Sequence, residues 1–132
     1  MRVWVKLSLL VAALGTGSAL IAQGQALAML AKLQRGQWTV TPSDGTPTRQ
    51  ICLGDPMQLV KLRHAGSANC SRFVVEDEPG RVTVQYTCPG NGYGRTSIRR
   101  ETETLVQLES QGVAADRPFQ FRAEGRRTGA CR

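Results

Sequence analysis

Four cysteines, one histidine and an excess of arginine carry the chemistry open to this chain of 132 residues. Cys52, Cys70, Cys88 and Cys131 follow one another at intervals of 18, 18 and 43 residues. Zinc sites are usually built on close Cys-x-x-Cys pairs with further Cys or His ligands, and His64 is the sole imidazole, so the spacing points to disulfides and not to metal. Nucleophilic catalysis by Ser or Cys needs an imidazole base oriented by a carboxylate. His64 falls at the end of an expected helix, where the dipole already favours a cation, so a capping or solvent-exposed position is expected. Carboxylate pairs for glycoside hydrolysis would have to come from Glu76, Glu78, Glu101 or Glu103, all in charge-dense strand ends or turns where carboxylates stay solvated. The glycine-rich run Pro89-Gly90-Asn91-Gly92-Tyr93-Gly94 lacks the Gly-Lys-Ser/Thr ending and following helix of a phosphate loop, and reads as a hairpin connection. No catalytic, cofactor-binding or metal-ligating residue is assigned, no cofactor is expected, and the chain is read as a non-enzyme.

Arginine supplies the remaining chemistry. Lys and Arg number 17 against 10 Asp and Glu, a net charge of +7. Arg95 and Arg99 point the same way from one strand and Arg100 the other way, while Arg117, Arg122, Arg126, Arg127 and Arg132 crowd the C-terminal part. Guanidinium forks suit phosphates and carboxylates. Tyr93 on its glycine-rich loop, Arg95, Arg99 and Arg122 are therefore the candidate contacts to a partner, either an anionic envelope component or another protein. The competing reading is a solvated face in which Glu101, Glu103 and Glu124 neutralise the arginines across strands. Nucleic acid is not expected, because few aromatics are interleaved with the charges.

The N-terminus says where such a domain would work. Arg2 and Lys6 precede an uncharged run from Leu7 to Ala22, followed by small residues, which is the pattern of a secretory signal peptide over residues 1–28. Ala26-Leu27-Ala28 and Gly24-Gln25-Ala26 offer cleavage after Ala28 or after Ala26. Gly15, Gly17, Ser18 and Gln23 shorten the apolar run below the roughly 20 residues a membrane span needs, so no transmembrane anchor is expected after processing. Removing the leader takes two basic side chains and no acid, leaving 15 against 10 and a charge of +5. The four cysteines would then lie in a periplasmic or extracellular domain, where thiols oxidise.

Residues 29–132 read as one disulfide-stabilised β domain: a mainly antiparallel meander of six or seven strands, curved or partly closed, with two short helices. Residues 27–34 have good helix propensity and Gly36 ends them. Trp38 and Val40 alternate with polar neighbours in a first strand, and Arg49 to Leu53 is a second. Asp55-Pro56 caps a helix running to about His64. Phe73-Val74-Val75 and the alternating Val82, Val84, Tyr86 and Cys88 flank a turn at Glu78-Pro79-Gly80, and strands near 95–101, 103–112 and 118–125 follow. Trp38, Val82, Val84, Tyr86, Phe119 and Phe121 are the expected core.

That hairpin bears on the cysteines. A turn centred on Glu78 and Pro79 sets Glu76 opposite Arg81 and brings Cys70 opposite Thr87 or Cys88, favouring a Cys70–Cys88 bridge and, by elimination, Cys52–Cys131. Spacing alone leaves the other connectivities open.

Several of these segments together, Gly36-x-Trp38, Arg49-Gln50-Ile51-Cys52-Leu53 running into Asp55-Pro56, Cys70 before Phe-Val-Val, Tyr86-Thr87-Cys88-Pro89-Gly90 and Gly129-Ala130-Cys131, resemble the domain of unknown function 3617 family. It comprises small exported four-cysteine proteins, mainly of Gram-negative bacteria, and the resemblance runs from about Leu33 to Cys131. It implies a periplasmic or secreted β domain stapled by cysteines, and carries over no catalytic residue. Gln34-Arg35-Gly36 departs from the Pro-Gly-x-Trp opening of many members. The functional expectation is an exported binding or envelope-associated module; a small inhibitor of a hydrolase and a carboxylate-based hydrolase are the alternatives.

Overall fold

The computed structural model describes residues 27–132, and the expected leader up to Ala26 lies outside them. In chain order the elements are α1 (Ala28–Ala31), β1 (Gly36–Pro42), β2 (Arg49–Leu53), α2 (Met57–Val60), a 3₁₀ turn (Leu62–His64), β3 (Ser71–Glu78), β4 (Arg81–Cys88), β5 (Gly92–Thr102), β6 (Leu105–Ala114) and β7 (Arg117–Gly129). The seven strands form one antiparallel sheet in the order β2-β1-β7-β6-β5-β4-β3. The meander runs from β3 to β7, and the N-terminal hairpin attaches by laying β1 along β7. The mainly β antiparallel sheet expected is thus present with seven strands and two short helices, and of the two forms allowed for it, curved or partly closed, it is not closed: β2 and β3 are its edges.

Period-two alternation sorts side chains to two faces. Val82, Val84, Tyr86 and Cys88 of β4, Ile98 of β5, Val106 and Leu108 of β6, Ala123 of β7 and Trp38 and Val40 of β1 share one core with Met29 and Leu30 of α1 and Leu59 and Val60 of α2. Polar groups on this face tie the helices down. The Thr96 hydroxyl lies 2.7 Å from the carbonyl of Val60 and 2.7 Å from the Ser110 hydroxyl, satisfying a carbonyl at the end of α2. Arg49 donates to the carbonyl of Leu62 at 2.9 Å. Asp77 reaches across from β3, its carboxylate accepting the N–H groups of Ala28 at 2.8 Å and Met29 at 3.1 Å, so α1 is capped by a residue distant in sequence. Leu27 is buried and its carbonyl accepts the N–H of Ala31.

Both favoured disulfides are present, Cys52–Cys131 and Cys70–Cys88. The register behind the second differs from the expected one. Glu78 pairs with Arg81, so Pro79 and Gly80 form the loop, one position later than placed, and this alone would set Cys70 opposite Pro89. A bulge between Val74 and Glu76 absorbs one residue, Ser71 pairs with Thr87, and Cys70 arrives at Cys88.

Other boundaries also move. The helix expected from Pro56 to His64 breaks at Lys61, whose φ of −108° and ψ of 36° leave the helical region. Asp55 nevertheless accepts the Met57 N–H at 2.9 Å, as a capping residue should. Strand β7 extends to Gly129, because β1 pairs with it as far as that glycine. Phe119 and Phe121 face inward but are only half-buried. Strand β1 stops covering β7 at Ala123, and beyond it the two rings have the Arg63 guanidinium for a lid, 5.9 and 5.4 Å from their centroids.

Candidate functional site

The helix-free face of the sheet is where the four candidate contacts meet. Because Gly94, Thr96 and Ile98 of β5 turn inward, Tyr93, Arg95, Ser97 and Arg99 turn outward. Register then aligns their neighbours: Arg95 is opposite Gln85 on β4 and Gln111 on β6, and Gln111 is opposite Gln120 on β7. One row along, Ser97 is opposite Glu109, and Glu109 is opposite Arg122. Arg81 of β4 lies opposite Arg99, a cross-strand pair of like charges. Tyr93, Arg95, Arg99 and Arg122 are thus brought onto one solvent-facing surface, and the structure adds Arg81 and the three glutamines to them.

Charge on this surface is only partly balanced. Arg99 pairs with Glu101 at 3.1 Å, Arg122 with Glu109 at 3.2 Å and Arg126 with Glu124 at 3.1 Å. Glu101 and Glu124 therefore serve arginines of their own strands, Glu109 supplies the cross-strand bridge, and Glu103 instead accepts from Gln34. Arg81 and Arg95 make no ion pair among the described residues. Exposed bridges of this kind contribute about 0.2–1 kcal/mol each, so an incoming anion competes for Arg99 and Arg122 at small cost.

Three shallow depressions mark the same surface. One of about 400 Å³ is bordered by Gln85, Tyr93, Arg95, Gln111 and Gln120. A second of about 160 Å³ shares Arg95, Gln111 and Gln120 with it and adds Ser97, Glu109 and Arg122. The third, about 250 Å³, shares Ser97, Glu109 and Arg122 with the second and continues to Arg81, Arg99 and Ser43. Tyr93 is 52% exposed at one end, and Phe73, opposite Gln85 on the outer side of β3, is 69% exposed. Nothing in the Phe73-Val74-Val75 run marks the ring as outward, because its side is set by the pairing of Phe73 with outward-facing Gln85. A separate hollow of about 440 Å³ lies between β2 and α2 beside Ile51, Met57 and Leu62, away from all four candidate contacts.

His64 is not where its sequence context placed it. It is buried to 1% exposure, with Nδ1 3.0 Å from the Tyr86 hydroxyl and Nε2 2.8 and 3.1 Å from the carbonyls of Asn91 and Val113. Two carbonyls at Nε2 call for a proton there, so Nδ1 accepts from the Tyr86 O–H. Burial pushes the Tyr86 phenol up to about 12. No carboxylate orients this imidazole, and it acts as a pin between the 3₁₀ turn, the β4–β5 connection and the end of β6. That connection is held in turn by Asn91, whose amide donates to the Ser67 hydroxyl at 2.7 Å, so the glycine-rich run is a fastened turn with positive φ at Gly90 and Gly92.

Three of the four carboxylates considered for hydrolysis have separate occupations, Glu76 accepting from Thr83, Glu101 from Arg99 and Glu103 from Gln34, and Glu78 is exposed at the end of β3. Among the described residues no three His, Cys, Asp or Glu side chains gather as a metal site. None of their helices is long and apolar enough to cross a membrane. The chain matches no protein-family model, no curated protein and no solved structure.

Proposed function

We propose that this is an exported, non-enzymatic binding module of the periplasm or cell exterior, which uses the helix-free face of its sheet to hold anionic groups of an envelope component. The observation that carries the reading is the meeting of Tyr93, Arg95, Arg99 and Arg122 on one surface, where Arg95 and the adjoining Arg81 lack a carboxylate partner among the described residues. Guanidinium groups set out from neighbouring strands, their backbone positions fixed by the ladder, present planar forks to phosphate or carboxylate. Two disulfides and a leader-like N-terminus agree with an oxidising location. The resemblance to the domain of unknown function 3617 family belongs to the same reading.

Retention of the purified oxidised protein on lipopolysaccharide, anionic vesicles and cell-wall polymer tests it. Binding to at least one of them at low salt, weakened by high salt and by the double substitution Arg81→Ala/Arg95→Ala, is the expected result. Retention on none of them, or retention indifferent to both salt and the double substitution, overturns it.

A further inference from the structure

The three depressions on the helix-free face share lining residues end to end, so they form one continuous trough. From Tyr93 to Arg99 it follows β5 for six residues, about 20 Å at the usual strand rise. A trough of that length, open to solvent along its course and not enclosed, suits a linear polymer. The chemistry of its walls narrows the class. Gln85, Gln111 and Gln120 stand in one row with Arg95, offering amide donors and acceptors in pairs, as neighbouring hydroxyls of a sugar require. Tyr93 presents an exposed ring at the trough's end, a surface on which the apolar C–H face of a pyranose packs. Arg81, Arg95, Arg99 and Arg122 face the trough against Glu109 alone among the carboxylates that line it, so the polymer must carry negative charge.

Other occupants fit less well. An extended peptide binds a sheet through its edge, using free backbone groups, whereas β4 to β7 are interior strands whose ladders are already paired. A bilayer surface would meet the rims of the trough and leave its floor unused. Single-stranded nucleic acid wants successive aromatic platforms, whereas Phe119 and Phe121 border the trough but face inward, and Tyr93 is the exposed ring along it.

We infer that the trough is a binding site for an anionic polysaccharide, whose acidic groups lie on the arginines and one of whose sugar rings stacks on Tyr93. This rests on the proposed anion-binding role and specifies its ligand. The test titrates the oxidised protein with oligogalacturonate, with the same oligomers after reduction of their carboxyls to alcohols, with inorganic polyphosphate, with single-stranded DNA and with anionic vesicles. Oligogalacturonate is expected to bind best, with affinity falling about tenfold or more on carboxyl reduction. Tyr93→Ala should weaken that binding by a similar factor and leave polyphosphate binding unchanged, with the fold checked by an unaltered denaturation midpoint. If Arg81→Ala/Arg95→Ala abolishes polyanion binding while Tyr93→Ala has no effect and vesicles, DNA or polyphosphate bind better than the glycan, the polysaccharide inference falls and the anion-binding role stands. If the arginine substitutions change nothing for any probe, both fall.

Discussion

Tyr86 on β4 and Gly94 on β5 are cross-strand partners, and the phenol of the first occupies the space that a side chain on the second would need. A Cβ built on Gly94 meets the hydroxyl and ring carbons of Tyr86 at less than contact distance. The glycine therefore lets Tyr86 lie over β5 and reach His64, and through it the turn that follows α2. Gly94→Ala should destabilise by about 1–3 kcal/mol, as overpacking of a filled site does. Gly54, which has open space around the same position, is the control, with Gly54→Ala staying within about 0.5 kcal/mol. Urea denaturation of the two variants reads the contrast.

Tyr86→Phe removes the O–H that serves Nδ1 of a buried histidine, at a cost of about 1–3 kcal/mol for the group left unsatisfied. It also changes alkaline behaviour. The folded phenol keeps its proton up to about 12, against 10.0 for the ordinary group. Its stabilising contribution is complete below pH 10 and declines as pH rises from there through 12, because the unfolded chain releases the proton first. Denaturation midpoints of the parent protein should fall across that window more steeply than those of Tyr86→Phe.

Asp77→Ala leaves the first N–H groups of α1 without their acceptor and should cost about 1 kcal/mol, the usual loss for a missing N-cap. Asp77→Asn, which keeps an acceptor oxygen, should cost less. A shift in urea midpoint at constant slope is the signature to look for.

The two disulfides close loops of unequal length, with sequence separations of 18 for Cys70–Cys88 and 79 for Cys52–Cys131. Replacing each pair by serines should cost about 3 kcal/mol for the shorter and about 4.5 kcal/mol for the longer on the chain-entropy argument. Equal losses, or a larger one for the shorter loop, would show that strain or residual structure outweighs loop length; the denaturation midpoints of the two double variants decide.

Strand alternation and hairpin pairing are local and legible: Val82, Val84, Tyr86 and Cys88 are inward as their spacing requires, and the hairpin favours Cys70–Cys88, whereas Cys52–Cys131, 79 residues apart, is reached only by elimination. Cys70 meets Cys88 because two departures from the simple hairpin, a loop one position later and a bulge at Val75, offset one another. His64 was misplaced because a position at a helix end says nothing of what the sheet brings over it; its partners Tyr86, Asn91 and Val113 come from three later segments. Phe119 and Phe121 looked like core because their alternation is correct, yet burial also depends on how far β1 extends along β7. That Arg95 and Arg99 share a side was readable from one strand. That Arg81, Gln85 and Arg122 join them requires the registers of four strands, which no single stretch of sequence encodes.

Strand β1 lies against β7, so the earliest and latest strands of the domain must meet. A chain emerging from its N-terminus can set β1 against β2, but the other edge of β1 has no neighbour until residues 123–129 are free. The assembly is governed by its slowest, most distant closure, and a product cut short before β7 loses the join between the first hairpin and the rest of the sheet as well as the last strand.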